Sequence, residues 1–223
     1  MVPTMADAPA RVLTSLTLTA LSTALLAGCG SSSPRLAARP AAEILDAARN
    51  AATSARAVTI KTTASQGRSS AHYELVLNRN SGLARISLFG IEYEAIRIGN
   101  ALYVRLPRSA RSTGAPRTRH LPGGWLKTTT GNPSYERFAL LTTLKTAARL
   151  ELDRLTSPTK KTSRQHDTVT LTEKIKLGEA TLTTTTDTGT PYPATLQISG
   201  RERNTTTYTR WNQPQPVSPP RGL

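Results

Sequence analysis

The feature that most constrains the fold is a change of hydrophobic period at Ala57. Residues 40–54 carry apolar side chains at helical spacing, with Pro40 suited to the first turn. From Ala57 onward, apolar and polar residues alternate, as in strands with one buried face. Short turns with glycine separate these segments, and turns that short join antiparallel neighbours. The pattern therefore predicts one amphipathic helix followed by an antiparallel meander, and it excludes a doubly wound fold, whose parallel strands need long crossovers.

The alternating segments predict a sheet of about 9–11 strands. The segments are residues 57–63, 71–78, 83–89, 91–98, 101–106, 124–128, 168–177, 179–187, 194–199 and 204–211. A second helix is predicted over residues 132–148, because Asn132 and Pro133 can start it and an apolar stripe from Tyr135 to Ala148 follows. A long antiparallel sheet tends to curl, and its apolar face must be covered. The prediction is an α+β fold in which two helices cover a curved sheet.

The N-terminus resembles a bacterial lipoprotein signal. No charged residue lies between Arg11 and Arg35, and residues 12–27 form an apolar run diluted by Ser and Thr. This run is too short and polar for a spanning helix but suffices for a signal peptide. The run ends in a lipobox. The small residues before the Cys let the segment enter a peptidase site in extended form, and the Cys thiol accepts a diacylglyceryl group. The lipobox consists of Leu26, Ala27, Gly28 and Cys29. The alternative is an incidental Cys after a degraded signal.

This signal predicts the domain organisation and the cellular location. Residues 1–28 are a signal peptide, 29–40 a flexible tether, 41–214 the folded domain and 215–223 a Pro-rich tail. Two acyl chains on Cys29 would hold the protein durably at a bilayer, on the outer face of the cytoplasmic membrane. At that location the chain meets no genomic DNA, so the formal net charge of +15 does not indicate a nucleic-acid partner, and none is predicted. Anionic lipids, cell-wall polymers and acidic proteins remain as partners.

Basic residues concentrate in one loop. No acidic residue lies between Glu94 and Glu136, whereas five arginines fall within residues 105–119, a stretch rich in Pro, Gly and Ser. Basic residues near an anionic membrane contribute about 1 kcal/mol each. These arginines are predicted contacts for anionic head groups, and the alternative is a solvated loop. They are Arg105, Arg108, Arg111, Arg117 and Arg119.

The sequence contains few candidates for chemistry. The three histidines, His72, His120 and His166, are far apart, and no nucleotide-binding or metal-binding motif is present. Glu92 and Glu94 lie on one face of a predicted strand, where exposed charges are commoner than a catalytic pair. A single Cys excludes an internal disulfide. We therefore predict no metal, no cofactor and no enzymatic activity.

Five further segments, together with the lipobox, resemble one protein family. They are residues 55–58, 99–104, 124–127, 191–196 and 208–214. In their order they are similar to actinobacterial lipoproteins with the half-barrel of LolA-like and LppX/LprG-like lipid carriers. The resemblance implies a half-barrel sheet, helices on its concave face and an apolar cavity for acyl chains. The predicted function is a membrane-anchored lipoprotein that binds or shuttles a lipid or lipid-linked glycan. The alternative is a regulatory or protein-interaction lipoprotein whose concave face is filled by its own side chains.

Overall fold

The folded domain begins with a helix at the predicted position. The computed structural model describes residues 35–67, 69–107, 119–163, 168–176, 178–185 and 189–221, which lie within one compact unit, Ser33–Leu223. The helix α1 (Ala41–Ser54) follows Pro40 and buries one apolar face, which includes Ile44 and Leu45. No helix in the described residues is long and apolar enough to cross a bilayer.

The described residues form twelve strands in one antiparallel sheet. The strands are β1 (Ala57–Gln66), β2 (Ser69–Asn78), β3 (Ser81–Leu88), β4 (Ile91–Ile98), β5 (Ala101–Arg105), β6 (Arg119–Leu121), β7 (Trp125–Thr129), β8 (Thr159–Ser163), β9 (Thr168–Ile175), β10 (Gly178–Thr184), β11 (Pro193–Gly200) and β12 (Arg203–Thr209). All ten predicted strands are present. The two additional strands, β6 and β8, form the sheet edges, where strands can be short and need no buried face.

The strand order places β1 near the middle of an open sheet. The order is β6-β7-β5-β4-β3-β2-β1-β12-β11-β10-β9-β8, so the two edge strands do not pair with each other. We call the face that carries Leu75, Ala84 and Ala95 the inner face, because these residues join the helices in the main core. They lie opposite one another on three neighbouring strands. The opposite face is the outer face. The predicted α+β fold with a curved antiparallel half-barrel sheet is confirmed.

The predicted second helix is divided into two, which corrects the prediction of one continuous helix. The helix α2 (Glu136–Leu141) follows a 3-10 turn over Pro133–Tyr135, and α3 (Leu144–Leu150) follows an extended Thr143. The Thr142 hydroxyl donates to the carbonyl oxygen of Phe138, 2.8 Å away. Such a bond competes with helical hydrogen bonding. Arg97 Nε donates to the Thr142 carbonyl oxygen at 3.0 Å, so the sheet holds the break in place.

The C-terminal residues run back along the sheet. Asn78 Nδ2 donates to the carbonyl oxygen of Gln215 at 2.8 Å, and the Gln215 amide donates to Asn78 Oδ1 at 3.2 Å. Farther on, Val217 packs against a small outer-face cluster that includes Tyr103 and Trp125. The segment after β12 is therefore attached to the domain without forming a strand.

Candidate functional site

The inner face is partly open at one end of the sheet. We call this the tip end, because the β3–β4 turn at Phe89–Gly90 lies there. In the register, Leu88 lies opposite Ile91, and Ile86 lies opposite Tyr93. Leu88 and Tyr93 are half-buried, and Ile91 is 41% exposed. Apolar side chains are therefore accessible to solvent at the tip end, and they adjoin the buried residues of the core.

The helix α2 borders the accessible apolar surface at the tip end. Phe138 is half-buried and its ring centroid lies 6.2 Å from that of Tyr93. On β2, two strands away from Tyr93, Tyr73 is also half-buried and packs against the core. We define the mouth as Tyr73, Leu88, Ile91, Tyr93 and Phe138. It is an apolar, aromatic surface that could accept one end of a hydrocarbon chain.

Deeper on the inner face, the protein fills its own interior. Leu75 is 4% exposed and Leu77 is 0% exposed, and both belong to a core that includes residues of α1 and α3. A void wide enough for an acyl chain would leave its lining accessible. The region around these two leucines is therefore packed, and the accessible apolar surface lies at the mouth.

Several buried polar groups lie on the β12 side of the inner face. The hydroxyls of Thr62 and Thr206 share a hydrogen bond of 2.9 Å, and both residues are buried. The Tyr208 hydroxyl is buried without a hydrogen-bond partner, and its burial raises its pKa. Burial also raises the pKa of Glu151, although Arg154 Nε lies 3.1 Å from its carboxylate and opposes that shift. These groups limit how far an apolar ligand could extend toward β12.

The outer face carries a line of alternating charges, which we call the charge ladder. Its members, on β1 to β5, are Lys61, Glu74, Arg85, Glu94 and Arg105. Neighbouring members lie opposite each other in the register. The N···O distances along the line are 3.2, 3.4, 3.5 and 2.9 Å. Lys61, followed by Arg85, lowers the pKa of Glu74. Each such surface pair adds at most about 1 kcal/mol to stability, so the ladder mainly defines a charged surface.

An open groove of about 1120 Å³ lies over the charge ladder. Besides the ladder, its lining includes His72, Ser87 and Glu92, whose side chains share the outer face. The guanidinium of Arg105 also lies 5.4 Å from the ring centroid of Trp125, as in a cation–π contact. The outer groove is therefore a second candidate surface. It is charged along the ladder, and its lining also includes Tyr73, Ile91 and Tyr93 of the mouth.

The structure brings together only some of the predicted site residues. Arg105 pairs with Glu94 in the charge ladder. The backbone of Arg119 lies in β6, opposite Lys127. The other seven predicted residues lie outside the described residues. They are the lipobox, Leu26, Ala27, Gly28 and Cys29, and the rest of the basic loop, Arg108, Arg111 and Arg117. Within the described ranges, no group of three His, Cys, Asp or Glu side chains could hold a metal ion.

Sequence reasoning missed both the mouth and the charge ladder. Tyr73 and Tyr93 fit the strand pattern, but periodicity does not distinguish a buried end of a strand from an accessible one. The charges of the ladder lie far apart in the sequence, so their alternation emerges only once the register is known. A usable signal was the Phe89-Gly90 turn followed by Ile91, which leaves apolar residues at the end of a hairpin.

No family model and no curated protein matches the chain. Among solved structures, the lipoprotein LppX of Mycobacterium tuberculosis is 13% identical, with a TM-score of 0.48 over 80% of this chain and 98% of that chain. LprF of Mycobacterium bovis is 12% identical, with a TM-score of 0.46 over 82% and 97%. A LolA superfamily protein of Nitrosomonas europaea is 10% identical, with a TM-score of 0.28 over 81% and 96%. The structural neighbours thus include proteins of the group that the sequence resembles.

Proposed function

We propose that this chain is a membrane-anchored lipoprotein that binds or shuttles a lipid or lipid-linked glycan at the outer face of the cytoplasmic membrane, without enzymatic activity. The observation that carries this proposal is the mouth, where Leu88, Ile91 and Tyr93 remain accessible at the edge of a continuous core. Hydrocarbon gains about 25 cal/mol per Å² of apolar surface removed from water, so an acyl chain laid on these side chains is stabilised.

The arrangement of α2 favours entry of a ligand beside it. The helix has six residues and ends at the break at Thr142, and its Leu140 is 44% exposed. A helix that short is held by its contacts rather than by its own hydrogen bonds. Movement of α2 away from Tyr93 would extend the mouth toward the core without disturbing the sheet.

The anchor is tested separately from the ligand. Cys29→Ala removes the thiol that would receive the diacylglyceryl group, so we expect metabolic labelling with a radioactive fatty acid to disappear completely. The full chain should then accumulate as an unprocessed precursor, visible as a larger band on a gel. Cys29 is the only Cys in the sequence, so labelling that persists in the variant would rule out this attachment site.

Ligand binding is tested by two Trp variants at contrasting depths. Leu88→Trp places the ring in the mouth, where we expect little loss of stability and displacement of bound lipid. The matched change Leu77→Trp enters the packed interior, so it should cost about 1–3 kcal/mol by overpacking. Mass spectrometry of lipid extracted from the purified protein, with thermal melts of both variants, provides the measurements. Lipid-free wild type together with equal destabilisation by both variants would contradict the carrier proposal.

A protein-interaction lipoprotein is the second candidate. The filled inner face around Leu77 and the open groove over the charge ladder favour it. Such a protein would carry no lipid after purification. Charge reversal at Lys61, an exposed end of the ladder, would then weaken capture of a partner without affecting lipid content.

A further inference from the structure

The β3–β4 turn at the tip end carries an aromatic residue where the backbone disfavours one. Phe89 has φ of 54° and Gly90 has φ of 78°, so both central residues of this two-residue turn have positive φ. Hairpin turns of this type strongly favour Asn-Gly or Asp-Gly. A left-handed conformation is costly for a residue with a bulky side chain. Phe89 is nevertheless 72% exposed, so packing in the core does not offset the unfavourable free energy of this conformation.

Phe89 lies in an exposed apolar group at the tip end. Its neighbour Ile91 is 41% exposed, and Leu88 is half-buried in the mouth. Strain that the surrounding structure does not require is a reason to look for function. An exposed aromatic ring at a hairpin tip buries its surface only when something outside the chain covers it.

The start of the folded domain lies at the same level of the sheet as the mouth. The register forms a single row across the sheet, from Lys160 on edge strand β8 to Tyr93 in the mouth. The row runs through Leu171, Leu182, Leu196, Thr206, Thr62, Tyr73 and Ile86. Lys160 Nζ donates to the carbonyl oxygens of Ala37 and Arg39, which places the start of the domain at that row. Phe89 lies beyond the row, toward the tip end.

The spacer between anchor and domain is short. Leu36 is already buried, so the chain packs on the domain from this residue onward. At about 3.6 Å per residue, the seven residues from Cys29 to Leu36 span at most about 25 Å. A bilayer that holds Cys29 is therefore within reach of the tip end.

The charge of the tip end suits an anionic surface. Exposed cations there include Lys176 at the β9–β10 turn and Arg201 and Arg203 at the β11–β12 turn. Glu92, Glu179 and Glu202 are acids at this end, and Glu202 is paired with Arg154, while the chain as a whole has 29 basic residues against 14 acidic ones. Cations at the same end of the sheet as an apolar wedge are a combination that favours anionic bilayers.

We propose that the β3–β4 turn inserts Phe89 into the head-group region of an anionic bilayer, so that the mouth faces the membrane from which a lipid would enter. This inference rests in part on the proposed anchoring. It adds a specific membrane contact that neither the anchor nor ligand binding requires.

The test uses the full chain in vesicles of phosphatidylglycerol and phosphatidylcholine. Relative to the wild type, whose Trp125 and Trp211 also emit, Phe89→Trp should add a blue-shifted emission that is quenched by lipids brominated near the head groups, within about 10 Å of the acyl boundary. The matched control Asn100→Trp lies in the exposed β4–β5 turn at the opposite end of the sheet and should remain unquenched. Both variants are attached to the bilayer in the same way, whether or not Cys29 is lipidated. A difference in quenching between them therefore reports on insertion of the turn and not on lipidation. Equal quenching of the two variants would overturn the proposal.

A second variant separates insertion from a structural role. Phe89→Asn relieves the left-handed strain, so we expect the thermal midpoint to rise by about 2–4 °C. A lower midpoint would show that Phe89 serves the fold and would overturn the proposal. The anionic specificity has its own outcome: Phe89→Trp should be quenched less in vesicles of phosphatidylcholine alone, and undiminished quenching there would overturn that assignment.

Discussion

Gly82→Ala is expected to lower the free energy of unfolding by about 3 kcal/mol, at the upper end of the cost of overpacking. Gly82 lies on β3, and a Cβ at this position would come within 2.1 Å of the carbonyl oxygen of Thr142. That oxygen belongs to the backbone at the break between α2 and α3, so it cannot rotate away as a flexible side chain would. The helices must move for the methyl group to fit.

The sign of this effect is opposite to the usual one for a strand. Gly to Ala in a strand interior normally stabilises by about 0.5–1 kcal/mol, because glycine loses more backbone entropy on folding. Gly131→Ala is the matched control, because nothing lies within 4 Å of its added Cβ and its φ is not in the left-handed region. Urea unfolding of both variants measures the difference. A Gly82→Ala protein as stable as Gly131→Ala would show that α2 and α3 do not press on β3.

Local patterns were sufficient to predict most of the fold. The strands β10 and β12 alternate between buried and more accessible residues along their length, and α1 keeps a period near 3.6, so these elements are visible within a short window. Hairpin turns determine the antiparallel order of neighbouring strands. The edge strand β8 has no such pattern in its sequence, TKKTS, because an edge strand need not alternate to be paired.

The break between α2 and α3 could not be predicted in the same way. Arg97, which donates to the Thr142 carbonyl oxygen at this break, is 45 residues away from Thr142 in the sequence. The apolar stripe from Tyr135 to Ala148 continues through the break, so periodicity alone predicts one helix. The mouth depends on this same long-range contact, because the break determines where α2 places Phe138 against Tyr93.

Arg97→Met should therefore affect both stability and the mouth. Arg97 is 7% exposed and lies on the inner face, directly opposite Gly82 in the register. Its guanidinium donates to the carbonyl oxygens of Thr142, Gly99 and Arg79, and burial lowers its pKa. The Met side chain has a similar length and costs less free energy to desolvate. This gain offsets part of the stability that is lost with the hydrogen bonds of Arg97.

The lost hydrogen bonds nevertheless outweigh that gain. A hydrogen bond from a charged donor is worth about 1.5–3 kcal/mol, and a buried carbonyl left without a donor costs about 1–3 kcal/mol. The bond to Thr142 is buried, whereas the other two are partly buried and water can replace Arg97 there. We expect a net loss of about 3 kcal/mol in the free energy of unfolding.

The matched control is Arg85→Met on the outer face, where the side chain is 58% exposed and its ion pairs are worth at most about 1 kcal/mol. Urea unfolding gives the stability of both variants, and lipid extraction gives their ligand content. Since Arg97 fixes the carbonyl at the end of α2, its loss should leave α2 free to stay away from Tyr93. A lipid could then leave as easily as it enters, so the recovered lipid should fall, while Arg85→Met should leave lipid recovery unchanged. Equal stability of the two variants would mean that the break at Thr142 is held by its own hydroxyl, and the mouth would then not depend on the sheet.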